Sequence, residues 1–185
     1  MKNDDIVITS AFRTAIGTFR GSLKGMQAHD LGALTIEAVM QKSNLNPNDV
    51  DELIMGQVLT SATGQNPARQ AAILAKMPVE KTAYVINQVC GSGLRSVAAG
   101  YQAIMCNDSK IIIAGGQESM TNAPHAIYFR DGEKLDEARL FSNTFLDWLV
   151  CSTKTLSFFL STFIPANSVE ATEGMMSHSS FTILK

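Results

Sequence analysis

No stretch of this chain stays apolar for long enough to cross a membrane, and no basic cluster marks a path for phosphates. The nearest approach to a span, Phe141 to Ile164, holds five of the nine phenylalanines. Asp147, Lys154 and scattered Ser and Thr interrupt it short of the roughly eighteen apolar residues a span needs. Charge is scarce and balanced: 17% of residues are charged, for a net charge of -2. With 45% hydrophobic residues, that balance describes a soluble globular protein with neither nucleic acid nor a membrane among its expected partners. Cysteine is sparse too. Cys90, Cys106 and Cys151 match no zinc or CxxC spacing, so no metal site is expected. Their odd number argues against a disulfide framework and for a reducing compartment. GxGxxG and GxxxxGKS or GxxxxGKT are absent, which removes the dinucleotide and P-loop readings. Met1 to Asp5 is acidic and leads straight into a strand, with the pattern of neither a secretory signal nor a transit peptide. A cytoplasmic location is the expectation.

What is present is an alternation of strands and helices. Ile6-Val7-Ile8-Thr9 is a β-branched run that reads as a buried strand. Arg13 to Gly25 reads as an irregular connection. A helix is expected from Asp30, its N-terminal cap, to about Ser43, and Asn46-Pro47-Asn48-Asp49 is turn chemistry. Leu53 to Leu59 is a second strand. Asn66-Pro67 supplies a cap and a first-turn proline for a helix through Ala75, which Pro78 stops. Further strands are expected around Tyr84 and from Lys110 to Gly116. The order strand, helix, strand predicts a layered α/β domain with helices on the faces of its sheet.

The chain is organised around Tyr84-Val85-Ile86-Asn87-Gln88-Val89-Cys90-Gly91-Ser92-Gly93-Leu94. A β-favouring run ends in a cysteine, two glycines follow, and an apolar pattern of helical period begins at Leu94. Leu94, Val97, Ala98, Tyr101 and Met105 fall at the spacing of one helical face. Cys90 then lies at or just before a helix N-terminus, where free N–H groups and the macrodipole favour a thiolate. Gly91 and Gly93 let the backbone turn tightly and a substrate approach. This is the logic of a nucleophile elbow. The plainer reading, a small buried hydrophobe at a strand end, stands beside it.

Asn87 to Leu94 resembles the nucleophile segment of thiolases of the acetyl-CoA acetyltransferase type. Ser10-Ala11-Phe12-Arg13-Thr14-Ala15-Ile16-Gly17, Gly64-Gln65-Asn66-Pro67-Ala68-Arg69-Gln70 and Ala114-Gly115-Gly116-Gln117-Glu118-Ser119-Met120 resemble three further thiolase segments, in the family's order. The resemblance covers residues 5 to about 130 and fades beyond. It implies a five-stranded mixed sheet that is one of two similar halves, and therefore an incomplete chain holding the N-terminal half. Residues 1–120 are expected to form the thiolase-like α/β domain, and 121–185 a partial or diverged loop region, with a disordered end from Ser168. The charged stretch Phe129 to Arg139 reads as a solvated surface.

By resemblance, Cys90 takes an acyl group from acetyl-CoA as a thioester. A second acetyl-CoA, deprotonated at its α carbon, then attacks to give acetoacetyl-CoA, or the steps run in reverse. Acetyl-CoA and coenzyme A are substrates, no cofactor is permanently bound, and a homo-oligomer is implied. The family's catalytic histidine lies in a Gly-His-Pro motif and its second cysteine in a Cys-Gly-Gly-Gly type motif. His29, His125 and His178 lie in no such context, and neither Cys106 nor Cys151 precedes a glycine. Cys90 alone is assigned. His29 reads as a surface histidine at a helix start. A ketoacyl synthase of the same superfamily, and a non-catalytic remnant that associates with full-length subunits, are the other readings. The Asn66 to Gln70 and Gly116 to Met120 segments favour thiolase over the synthase.

Overall fold

The computed structural model describes residues 6–126, 141–142 and 160–165. Short runs of β-branched and apolar residues become strands Ile6–Phe12 (β1), Glu52–Gly56 (β2), Thr82–Ile86 (β3) and Ile112–Gly116 (β4), the four that the sequence predicts. Helices Ala28–Lys42 (α1), Pro67–Leu74 (α2) and Ser92–Met105 (α3) connect them. Asn66 caps α2 as expected, its side chain accepting the Arg69 N–H at 3.1 Å ahead of Pro67. At α1 the cap is Gln27 instead of Asp30. Asp30 sits in the first turn and its carboxylate accepts the Gln27 N–H at 2.9 Å, which closes a capping box. Two short strands, His125–Ala126 (β5) and Phe141–Ser142 (β6), pair with each other antiparallel.

A strand that the sequence reading does not place completes the sheet. Leu160–Pro165 (β7) lies between β1 and β4, giving the order β1-β7-β4-β2-β3. β2 runs parallel to β3 and β4, whereas β7 runs antiparallel to β1 and β4. The result is the five-stranded mixed sheet that the resemblance implies. The readings of Phe129 to Arg139 and of Ser168 to Lys185 lie outside the described residues.

Alternation along β2 and β4 divides the core between the two faces. Leu53, Met55 and Ile113 face α1 and α2, where Ile36, Val39, Met40, Ala68, Ala71 and Ala72 meet them. Ile54, Ile112 and Ala114 face the other way, toward Val97 and Ile104 of α3. Three layers result. The packed face of α3, however, shares only part of the apolar period, at Val97. Ser92, Ser96, Gly100 and Ile104 are buried, while Leu94, Tyr101 and Met105 are 76%, 37% and 58% exposed. Small residues win the inner face because α3 approaches the sheet too closely for large ones.

Glu52, at the start of β2, opposes this packing. Burial first, then the carboxylates of Asp108 and Asp51, push its carboxyl above the ordinary value of 4.5. Because the folded-state value exceeds the unfolded one, the favourable contribution of protonated Glu52 is fully present below pH 4.5 and is lost as the pH rises through the folded value. Glu52→Gln is therefore expected to melt higher than the parent at pH 7 and together with it below pH 4.5. Paired thermal melts at the two pH values check this; a variant that melts lower at pH 7 refutes it.

Candidate functional site

β2, β3 and β4 end at one edge of the sheet, with Gly56 in register with Ile86 on one side and Gly116 on the other. In open α/β sheets this carboxyl edge is where ligand sites form. Cys90 lies just beyond the end of β3 and just before α3, and it is exposed. Exposure sets aside the reading of Cys90 as a small buried hydrophobe. The turn that presents it pivots on Val89, at φ 50°. A β-branched residue in the left-handed region is strained, at a cost of about 1–3 kcal/mol, and persists only where its surroundings hold it. The sequence reading gives the tight turn to Gly91 and Gly93. Gly91, at φ -84°, adopts an ordinary conformation, and the special angle belongs to Val89.

Hydrogen bonds hold the pivot from both sides. Ser92, buried, accepts the Gln88 N–H on its Oγ at 2.8 Å and donates to the Val89 carbonyl at 2.6 Å. The Gly91 N–H donates to the Gln88 carbonyl at 3.0 Å. Beneath the turn, the N-terminus of α3 rests directly on the sheet. A Cβ on Gly56 would come within 2.3 Å of the Ser92 carbonyl carbon and 2.5 Å of the Gly93 nitrogen. Ser96 Oγ lies 2.6 Å from the carbonyls of both Gly93 and Gly115, tying the helix to β4.

The connections leaving β2 and β4 meet beside the elbow. Gln117, fully buried, donates to Gln57 Oε1 at 2.8 Å, and Gln57 donates to the Leu59 carbonyl at 2.9 Å. Glu118 is 7% exposed, and its carboxylate accepts the N–H of Val58 at 2.8 Å and of Leu59 at 3.2 Å. Asn87 spans the gap, donating from Nδ2 to the Val58 carbonyl at 3.3 Å and accepting the Val89 N–H on Oδ1 at 3.0 Å.

The two described histidines belong to other elements. His29 stands in the first turn of α1 with its Nε2 3.7 Å from Asp30 Oδ1. Its side chain is 20% exposed and its Nδ1 is buried, so it is less of a surface group than its sequence context suggests. His125 opens β5, and His178 lies outside the described residues. Among the described residues, no group of three or more His, Cys, Asp or Glu is arranged to hold a metal ion, and no helix is long and apolar enough to cross a membrane. Cys106 is free and exposed, whereas Cys90 is disulfide-bonded. The bond departs from the all-thiol state that the sparse, odd cysteine count suggests. An exposed sulfur at a turn is open to exchange with another thiol, which a buried one is not.

The family model described as "Thiolase, N-terminal domain" matches residues 6–159. The chain belongs to the thiolase family. The match runs from β1 to the residue before β7 and includes Cys90 with the turn around it. The chain is 50% identical over 149 residues to an acetyl-CoA acetyltransferase of Rhizobium meliloti, covering 80% of this chain and 38% of that protein. It is 50% identical over 143 residues to one of Paracoccus denitrificans, covering 77% and 37%. A relative of the same name from Shinella zoogloeoides is 47% identical over 149 residues. This thiolase-family chain thus spans under two-fifths of the length of these relatives. Of the groups that shape the elbow, sequence reasoning finds Cys90 and gives no role to Ser92, Val89 or Glu118. The available signal for Ser92 was a hydroxyl at the first turn of a helix whose inner face is otherwise small.

Proposed function

We propose that this chain carries the nucleophile of a thiolase-type acyl transfer, with Cys90 as the residue acylated by acetyl-CoA. The observation that carries the reading is Cys90 itself, exposed on a strained turn at the carboxyl edge of the sheet and at the foot of α3. The Cys90 thiolate attacks the thioester carbonyl; a carbon–sulfur bond to Cys90 forms as the bond to coenzyme A breaks, and coenzyme A leaves as a thiolate that takes up a proton. The α carbanion of a second acetyl-CoA then displaces Cys90 to give acetoacetyl-CoA. Both steps need a base and oxyanion donors. The family's Gly-His-Pro motif does not occur among these 185 residues, so the base is not assigned within them.

The outward face of α3 supports a second reading, a chain that works only by association. Leu94, Tyr101 and Met105 are exposed together on a helix whose other side already covers the sheet. Oligomers of this chain, and a cytoplasmic setting in which the Cys90 disulfide is reduced, belong to the same proposal.

Intact-protein mass spectrometry after reduction and incubation with acetyl-CoA tests the nucleophile. An acetyl adduct on the parent that is absent from Cys90→Ala is the expected result. No adduct on folded, reduced parent overturns autonomous acylation. Mixing the chain with the remaining part of an acetyl-CoA acetyltransferase then separates the readings: restored condensation supports a split enzyme, and its absence a remnant.

A further inference from the structure

The buried Glu118 carboxylate accepts from two backbone amides beside the elbow, and the geometry of those amides gives it a longer reach. The Leu59 N–H that it holds at 3.2 Å and the Val58 carbonyl that accepts from Asn87 at 3.3 Å are opposite sides of one peptide group. That group is planar, so fixing its N–H fixes the direction of its carbonyl. The Asn87 carboxamide is planar as well. With Nδ2 on the Val58 carbonyl, its Oδ1 is held on the Val89 N–H at 3.0 Å. Hydrogen bonds in such a series polarise one another, and one that starts at a carboxylate does so most. The series ends on Val89, whose left-handed conformation sets where the next residue, Cys90, stands relative to α3.

Resting on the reading of Cys90 as the nucleophile, we propose that Glu118 is a positioning residue for it, acting through the 58–59 peptide and Asn87 to hold Val89 in the conformation that presents the sulfur to the N-terminus of α3.

The test follows alkylation of the reduced full chain by iodoacetamide across pH, reading Cys90 and Cys106 separately by peptide mass spectrometry, so that Cys106 serves as the internal reference. Glu118→Ala is expected to slow Cys90 about tenfold relative to Cys106 at pH 7 and to move the Cys90 pH profile upward, since the thiolate is favoured only where the helix N-terminus reaches it. Glu118→Gln, which keeps one acceptor, is expected to fall between, and Asn87→Ala, at an exposed side chain, to repeat the loss should Glu118→Ala fail to fold. Asp51→Asn is the control. Asp51 accepts the Lys110 and Ile111 N–H groups at 2.8 and 3.1 Å at the opposite edge of the sheet, so a general loss of stability is matched there without touching the relay. An unchanged Cys90 profile in both Glu118→Gln and Asn87→Ala overturns the proposal, as does an equal change in Asp51→Asn. Acetyl-CoA on the parent is scored separately: a missing adduct there counts against the nucleophile reading and leaves the alkylation ratios to decide on Glu118.

Discussion

Gly56→Ala is expected to cost about 3 kcal/mol or more and to lower the melting midpoint by on the order of 10 °C. The added methyl would sit 2.3 Å from the Ser92 carbonyl carbon and 2.5 Å from the Gly93 nitrogen, and both are backbone atoms of the first turn of α3. A side chain can rotate away from such a contact, but a helix end can retreat only as a body. Gly93 in turn packs near Gly116, the partner of Gly56 across the sheet, so the retreat opens the contact along both strands. Thermal melts measure the first effect. The second is functional: moving the foot of α3 separates it from Cys90, so alkylation of reduced Cys90 is expected to slow along with the loss of stability. A variant that melts with the parent would mean that α3 shifts freely over the sheet, against the close packing described above.

Ser92→Ala removes both ends of the brace behind Val89. It leaves the Gln88 N–H without its 2.8 Å acceptor and takes a donor from the Val89 carbonyl, which retains the Ser92 N–H at 3.1 Å. One orphaned donor and one lost bond amount to about 2 kcal/mol, or about 6 °C in the melting midpoint. Released from the brace, Val89 is free to leave the left-handed region, and the position of Cys90 changes with it. The expected signature is a fall in stability together with a fall in the Cys90 alkylation rate. Stability lost with the Cys90 rate intact would show that the relay from Glu118 holds the turn by itself.

How far the sequence spoke depended on the kind of signal each element carries. β1, β2, β3 and β4 were legible because β-branched and apolar runs between turn residues have few other uses, and α2 because Asn66-Pro67 is local capping chemistry. The place of Cys90 between a strand and a helix was legible for the same reason: strand, turn and helix are contiguous. The inner face of α3 was not. Periodicity reports where the large apolar residues lie, and here close approach to Gly56 reserves the inner face for Ser92, Ser96 and Gly100. Nor was the support around Cys90 legible. Glu118, Val58 and Asn87 come from three separate connections that become neighbours only when β2, β3 and β4 align in register. β7 was hidden within the Phe-rich stretch Phe141 to Ile164, where Ser and Thr scattered among apolar residues leave its start unmarked.

The place of β7 in the sheet reverses the order of assembly along the chain. β2 pairs with β3 and β4 across much shorter stretches of chain than β1 with β7, so closing those pairs costs less entropy and needs no part of β7. β1 emerges first during synthesis, yet its neighbour in the sheet is β7, paired from Ile6↔Pro165 to Phe12↔Leu160. A strand made before β2, β3 and β4 is therefore docked after them. Until Leu160–Pro165 has been made, the early-forming unit carries an open strand edge at β4, and β1 remains tethered through α1 without a place in the sheet.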